Sequence, residues 1–160
     1  MTVLPNRLSE SPAQIRFNLR LHRAKNAAEE PLAYALEGST GQEFVPGLEP
    51  GLGELVVKKY RSSGFWGTNL DLLLKSNGIK SVVVTGCTTE GCVESTARDA
   101  MFNDYYVVIA SDAVASDEPA QHEASMFLMS HRFDLATAEE IGSSWTATSG
   151  KTVEASTPHR

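Results

Sequence analysis

The sequence predicts an α/β fold, a three-layer α/β/α architecture around a parallel, Rossmann-like sheet. Three observations predict it. After Gly53, apolar runs of strand length alternate with segments of helical period. The runs "SVVVTG" and "YYVVIA" are nearly continuous in apolar and β-branched residues, the pattern of strands covered on both faces. Helix start and stop residues fall at the joins between the two kinds of segment. Strand and helix in strict alternation imply parallel strands joined by right-handed crossovers.

Taken in order, "MTVL" reads as a strand stub, followed by loop at Pro5, Ser9, Ser11 and Pro12. Residues 13–25 place Ile15, Leu19 and His22 at helical spacing, with Arg16, Arg20 and Arg23 on a second face. Glycines and prolines from Pro31 to Gly53 mark a long connection, anchored at Phe44 and Val45. "ELVVKK" (54–59) reads as a strand. "TNLDLLLKSNG" (68–78) reads as a helix with Thr68 as N-cap, Asp71 completing a capping-box-like pair and Gly78 at the C-cap. Its apolar face is Leu70, Leu73 and Leu74. A buried strand (80–86) follows, then a helix (92–102) with Val93, Ala97, Ala100 and Met101 on one side. A second buried strand (105–114) leads to a helix (117–132), capped by Ser116 or Asp117 with Pro119 in its first turn. "FDLAT" (133–137) is the last predicted strand. We expect one domain over residues 1–148 and a loose tail over 149–160.

Composition narrows the function. Lys plus Arg is 14 and Asp plus Glu is 20, so the net charge is 14 − 20 = −6. That balance argues against a general nucleic-acid binder. No apolar run reaches the roughly 18 residues of a membrane span, and no signal-peptide core is visible at the start. Two cysteines make no disulfide framework. The expectation is a soluble, cytoplasmic protein with reduced thiols, acting on a small molecule rather than on nucleic acid or a membrane.

Both cysteines stand in "VVVTGCTTEGCVESTARDA" (82–100), where a strand hands over to a helix. In parallel sheets, ligands bind beyond the carboxyl ends of the strands. Cys92 lies at or near the start of its helix. Unpaired N–H groups and the helix dipole there favour a thiolate and could hold an oxyanion. A small buried hydrophobe is the bland alternative, which we prefer for Cys87 but not for Cys92. A redox dithiol is a minor reading, because Cys87 and Cys92 lack the usual C-x-x-C spacing. A metal site is another minor reading, since His22, His122, His131 and His159 show no ligand spacing. His122 and His131 read as surface helix residues. Upstream, "VVKKYRSSGFWGTNL" (56–70) ends a strand with Lys58 and Lys59, one for each face. A lysine beside a thiolate would stabilise it and orient substrate, although such lysines are more often solvated. Phe65 and Trp66 could wall an apolar pocket, although such residues more often pack in a core.

The pattern T-G-x-T-T-x-x-C-V-x-x-T-A-R-x-A, with "KYRSSGFWGTNLDLLL" before it and "VVIASDAVAS" after it, resembles the isochorismatase-like cysteine hydrolase family. That family includes N-carbamoylsarcosine amidohydrolase and related amidases, and the resemblance runs from about Glu43 to about Ile141. It implies a parallel sheet with helices on both faces, and cleavage of C–N bonds in small amides or carbamoyl and ureido compounds. It assigns the nucleophile to Cys92 and the catalytic lysine to Lys59. It also implies a cis peptide at Cys87–Thr88, with the Thr88 and Cys92 N–H groups as an oxyanion hole. Phe65 and Trp66 would bind substrate. No cofactor is implied for these steps, and a homo-oligomer, dimer or tetramer, is. The Arg16, Arg20 and Arg23 face reads first as solvated, and second as a partner for a substrate carboxylate or for acidic residues of another subunit.

The family's third catalytic residue is an Asp ending its first strand, ahead of the lysine. The first Asp of this chain is Asp71. A β-α-β unit of ~30 residues is the piece without a counterpart here, so the expectation is an N-terminally truncated form of the fold. Two alternatives follow: a native protein that extends upstream of Met1 and supplies the Asp, or a catalytically impaired or non-catalytic relative. Without the first strand, "ELVVKK" and "SVVVTG" should be separated and the latter should show an open edge.

Overall fold

The computed structural model describes residues 2–5 and 43–149. The predicted helix over 13–25, with Arg16, Arg20 and Arg23, lies outside the described residues, as does the tail beyond 149.

The strands form two parallel sheets. In the first, β1 (Thr2–Pro5) pairs with β2 (Val56–Lys59), from Thr2 opposite Val56 to Pro5 opposite Lys59. Strand alternation decides which side chains of β2 turn inward: Val57 and Lys59 are buried, while Val56 and Lys58 are exposed. In the second sheet β4 (Tyr106–Ala115) lies between β3 (Ser81–Cys87) and β5 (Asp134–Ala136). Val84 stands opposite Ile109, but Gly86 stands opposite Val114, so β4 bulges between the two pairs. Gly86 takes φ of 110° at that point, a conformation suited to glycine.

The core lies around β4. Ile109 and Val107 meet Val84, the buried face of the 94–102 helix (Ala97, Ala100), and Met129 and Phe133 from the chain leading to β5. The β-branched runs thus became strands as predicted. The burial of β3 differs from the sequence reading. Only Val84 is buried, and Val83 keeps 36 % of its surface exposed. β3 pairs with β4 alone, so its other edge has no strand partner among the described residues and β2 stands in a different sheet.

Helix α1 (Leu70–Ser76) ends in a Schellman motif. Ile79 N–H donates to Leu74 O at 3.0 Å, Gly78 N–H donates to Lys75 O at 3.0 Å, and Gly78 takes φ of 68°. Its start differs from the predicted capping box, because Asn69 is the cap residue and makes no side-chain cap bond. Thr68 Oγ1 instead accepts from Leu70 N–H at 3.2 Å and donates to Gly64 O at 2.6 Å. Asp71 turns to Lys75, at 2.9 Å, and to the Tyr105 hydroxyl, which donates to it at 2.9 Å.

This last bond ties the surface helix to the core edge. Burial, and then the Asp71 hydrogen bond, push the Tyr105 phenol up to about 12 from 10.0. A folded-state value above the unfolded one means that this contribution is whole below about pH 10 and is lost as pH rises toward about 12. Urea midpoints across that window should therefore fall for the wild type, and fall less for Tyr105→Phe. Parallel curves for the two proteins would mean that Tyr105 is not the group responsible.

Helix α2 (Glu94–Phe102) follows the turn after β3, and α3 (Pro119–Ser130) follows β4 with Pro119 at its first position. A fourth helix, α4 (Ala138–Ser149), occupies a stretch where Gly and Ser predicted no element. Its start is a capping box. Thr137 Oγ1 accepts from Glu140 N–H at 3.2 Å, and the Glu140 carboxylate accepts from Thr137 N–H at 2.8 Å. Asp112 at the far end of β4 accepts from Ala138 N–H at 2.8 Å, which fixes this helix to the sheet. The Thr-x-x-Glu spacing was the available signal. No helix of the described residues is long and apolar enough to cross a membrane.

Candidate active site

The carboxyl ends of β2 and β3 converge on one pair of side chains. Lys59, the last residue of β2, is 8 % exposed. Its Nζ donates to Cys92 Sγ at 3.2 Å and to Arg61 O at 3.1 Å. The contact sets a lysine amine with little access to water directly against the sulfur. Of the two lysines at the strand end, the chain therefore turns Lys59, not Lys58, toward the cysteine.

β3 ends at Cys87, and the Cys87–Thr88 peptide is cis. A five-residue π turn, Thr89–Val93, then carries Cys92 into α2. The sequence places Cys92 at or near the start of the helix; it stands inside this wider turn, two residues before α2. Such single π turns recur at functional positions. The Thr88 carbonyl accepts from both Gly91 N–H and Val93 N–H, each at 3.2 Å, which closes the turn on itself. Cys87 is exposed and Cys92 partly so, and both are free thiols. Glu90, in the same turn, keeps one buried carboxylate oxygen without a hydrogen-bond partner.

Gly91 belongs to this turn for steric reasons. A Cβ there would lie 2.7 Å from Thr88 Oγ1. Thr88 is β-branched and has few rotamers to retreat to. Gly91→Ala should therefore slow Cys92 chemistry roughly tenfold, the size of a ~1.4 kcal/mol distortion. Alkylation of Cys92 by iodoacetamide measures it, and adding Thr88→Ala should restore the rate.

The loop after Lys59 is pinned to α2. Gly64 N–H donates to Thr96 Oγ1 at 2.9 Å, and Phe65 N–H donates to Ser63 Oγ at 3.1 Å. Thr96 falls within the motif read from the sequence, but its role as an anchor for the lysine loop was not visible there. Phe65 packs at the edge of the core, its ring centroid 5.8 Å from that of Tyr105. Trp66 is 68 % exposed. The structure thus separates the two aromatic residues.

His131 lies on the surface as predicted, but His122 does not. It is half-buried, with Nδ1 2.8 Å from the hydroxyl of Thr89. Among the described residues, no three His, Cys, Asp or Glu side chains gather into a metal-ligand cluster.

A strand-end lysine held against a cysteine at a strand-to-helix turn defines a cysteine-centred site between two parallel sheets of an α/β fold. The chain belongs to the isochorismatase family, whose domain it matches over residues 12–140. The fold is similar to that of an isochorismatase-like hydrolase from Alkaliphilus metalliredigens. The two share 35 % identity and a TM-score of 0.74, over 89 % of this chain and 71 % of that one. It is also similar to N-carbamoylsarcosine amidase from Thermoplasma acidophilum, with 29 % identity and a TM-score of 0.65, over 84 % of this chain and 69 % of that one. Among curated proteins, a 92-residue stretch is 40 % identical to the ureidoacrylate amidohydrolase RutB of Klebsiella pneumoniae. That stretch is 57 % of this chain and 39 % of the length of RutB.

Proposed function

We propose that the protein is a cysteine hydrolase that cleaves a C–N bond of a small amide or carbamoyl/ureido compound. The observation that carries this reading is the 3.2 Å contact between Lys59 Nζ and Cys92 Sγ. The amidases among its relatives support the reaction class.

In this reading Cys92 is the nucleophile. Its thiol gives up a proton, and the thiolate, held by Lys59, attacks the substrate carbonyl carbon. The carbonyl π electrons move to oxygen, and the oxyanion is held by the backbone N–H groups of Thr88 and Cys92. Collapse breaks the C–N bond, and ammonia or an amine leaves with the proton. Water then attacks the thioester, restores the thiol and releases the acid. Of the two aromatic residues that the resemblance gives to substrate binding, Trp66 is the one open to solvent.

These steps need a group beside the sulfur that takes the thiol proton, gives it to the leaving nitrogen, and takes one again from the attacking water. The resemblance assigns that role to an Asp ahead of the lysine, and the first Asp of this chain, Asp71, is engaged by Lys75 and Tyr105. An Asp71 held by Lys75 and Tyr105 does not take that role, and a second reading is a family relative that binds such compounds without turning them over. Release of ammonia from a panel of ureido and primary amide compounds decides between the two. Turnover that disappears in Cys92→Ala supports the hydrolase. Ligand binding by calorimetry with no ammonia from any compound supports the non-catalytic relative.

The protein is further proposed to work in the cytoplasm as a homo-oligomer, without nucleic-acid or membrane partners. Sedimentation of the purified chain measures the assembly.

A further inference from the structure

Helix α3 grips the Cys92 turn from both sides. Thr89, three residues before Cys92, is 0 % exposed, and its hydroxyl meets His122 Nδ1 at 2.8 Å. Glu94, two residues after Cys92, accepts from Ser125 Oγ at 2.5 Å. His122 and Ser125 are three residues apart on α3 and so share one face. Arg98 holds the other oxygen of Glu94, through Nε at 2.9 Å and Nη2 at 2.6 Å, and so keeps that carboxylate aimed.

Hydrogen bonds at these two points do different work. The Glu94 bond fixes the start of α2, which its own helix already holds. The Thr89 bond fixes the first residue of the π turn, two residues past the end of the β3 ladder, where the other hydrogen bond from α3 is the Ser125 hydroxyl donating to Thr89 O at a long 3.5 Å. A threonine hydroxyl can donate to a neutral Nδ1 or accept from Nδ1–H, so the contact survives in either tautomer.

We propose that His122 is a positioning residue, which through Thr89 holds the π turn so that Cys92 Sγ stays at Lys59. This deepens the hydrolase reading, since it rests on Cys92 being the nucleophile. It gives α3 a part in the site that the surface reading of its histidines missed.

The test is the rate of iodoacetamide alkylation of Cys92 in the full chain, followed by fragment-ion mass spectrometry, which separates Cys92 from Cys87. His122→Leu removes the hydrogen-bonding ring nitrogen and should slow alkylation about tenfold. His122→Asn places an amide group where Nδ1 stands and should recover the rate to within about twofold of wild type. Thr89→Val, similar in shape but without the hydroxyl, should match His122→Leu, and the double variant should be no slower than either. A purely packing role would leave Asn as slow as Leu, because both lose the ring. That result, or additive effects in the double variant, overturns the proposal. So does a wild-type Cys92 that reacts no faster than Cys87. The expected pattern in a protein that releases no ammonia keeps the positioning role and removes only the hydrolase reading.

Discussion

On the proposed hydrolase reading, Cys92→Ala should reduce turnover by on the order of 10⁴-fold or more, because Cys92 is the group that forms the covalent intermediate. Lys59→Met should cost less, on the order of 10² to 10³, comparable to losing one preorganised electrostatic partner. The methionine fills most of the space of the buried lysine stem, so loss of folding is not the expected cause. The two effects should not add. In the proposed reaction Lys59 acts through the sulfur that it touches at 3.2 Å, so removing both groups should look like removing Cys92 alone. Initial rates of ammonia release for the two single variants and the double variant measure this. A Lys59→Met enzyme with unchanged rates would detach the lysine from the chemistry, whatever its distance.

Ile109→Ala should destabilise the fold by about 3 kcal/mol, within the ~2–5 kcal/mol span for such truncations. Ile109 is 0 % exposed on β4 and is among the largest wholly buried side chains. β4 is the middle strand of its sheet, paired on both sides, so the neighbouring backbone has little freedom to close the cavity. The measurement is a urea midpoint with an unchanged slope, which separates lost stability from an altered unfolded state. A loss below about 1 kcal/mol would mean that the β4 core relaxes around the cavity far more than its packing implies.

The alternation of strand and helix after Gly53 was legible because each element carried its own period. "YVVIA" read as a strand from its β-branched run, with Val107, Ile109 and Ala110 buried but Tyr106 exposed, and Ala97 and Ala100 marked the face of α2 that meets it. The Lys59 and Cys92 pair was legible only through a motif. No local pattern says that a residue at 59 meets one at 92, since that contact depends on how two sheets are set side by side. The same limit hid Thr89 and His122, which come together only when α3 crosses back over the turn. Asp71 shows a different failure. Its spacing from Thr68 fitted a cap, but Lys75 and Tyr105 offered it stronger partners once the helix had docked. Helix α4 was missed because composition was weighed over the Thr137 and Glu140 spacing, although that pair satisfies the helix start by itself.

Both tryptophans of the chain, Trp66 and Trp145, stand with about two thirds of their surface in solvent, at 68 % and 64 %. The consequence is optical. Near-ultraviolet emission from this protein is set by indole rings already in water, one in the loop after Lys59 and one on the last helix. Melting of the β3–β4–β5 sheet would reach them only through the loop and the helix that carry them. A fluorescence trace would therefore follow events in the Lys59 loop and at the chain's outer helix, and leave the core dark.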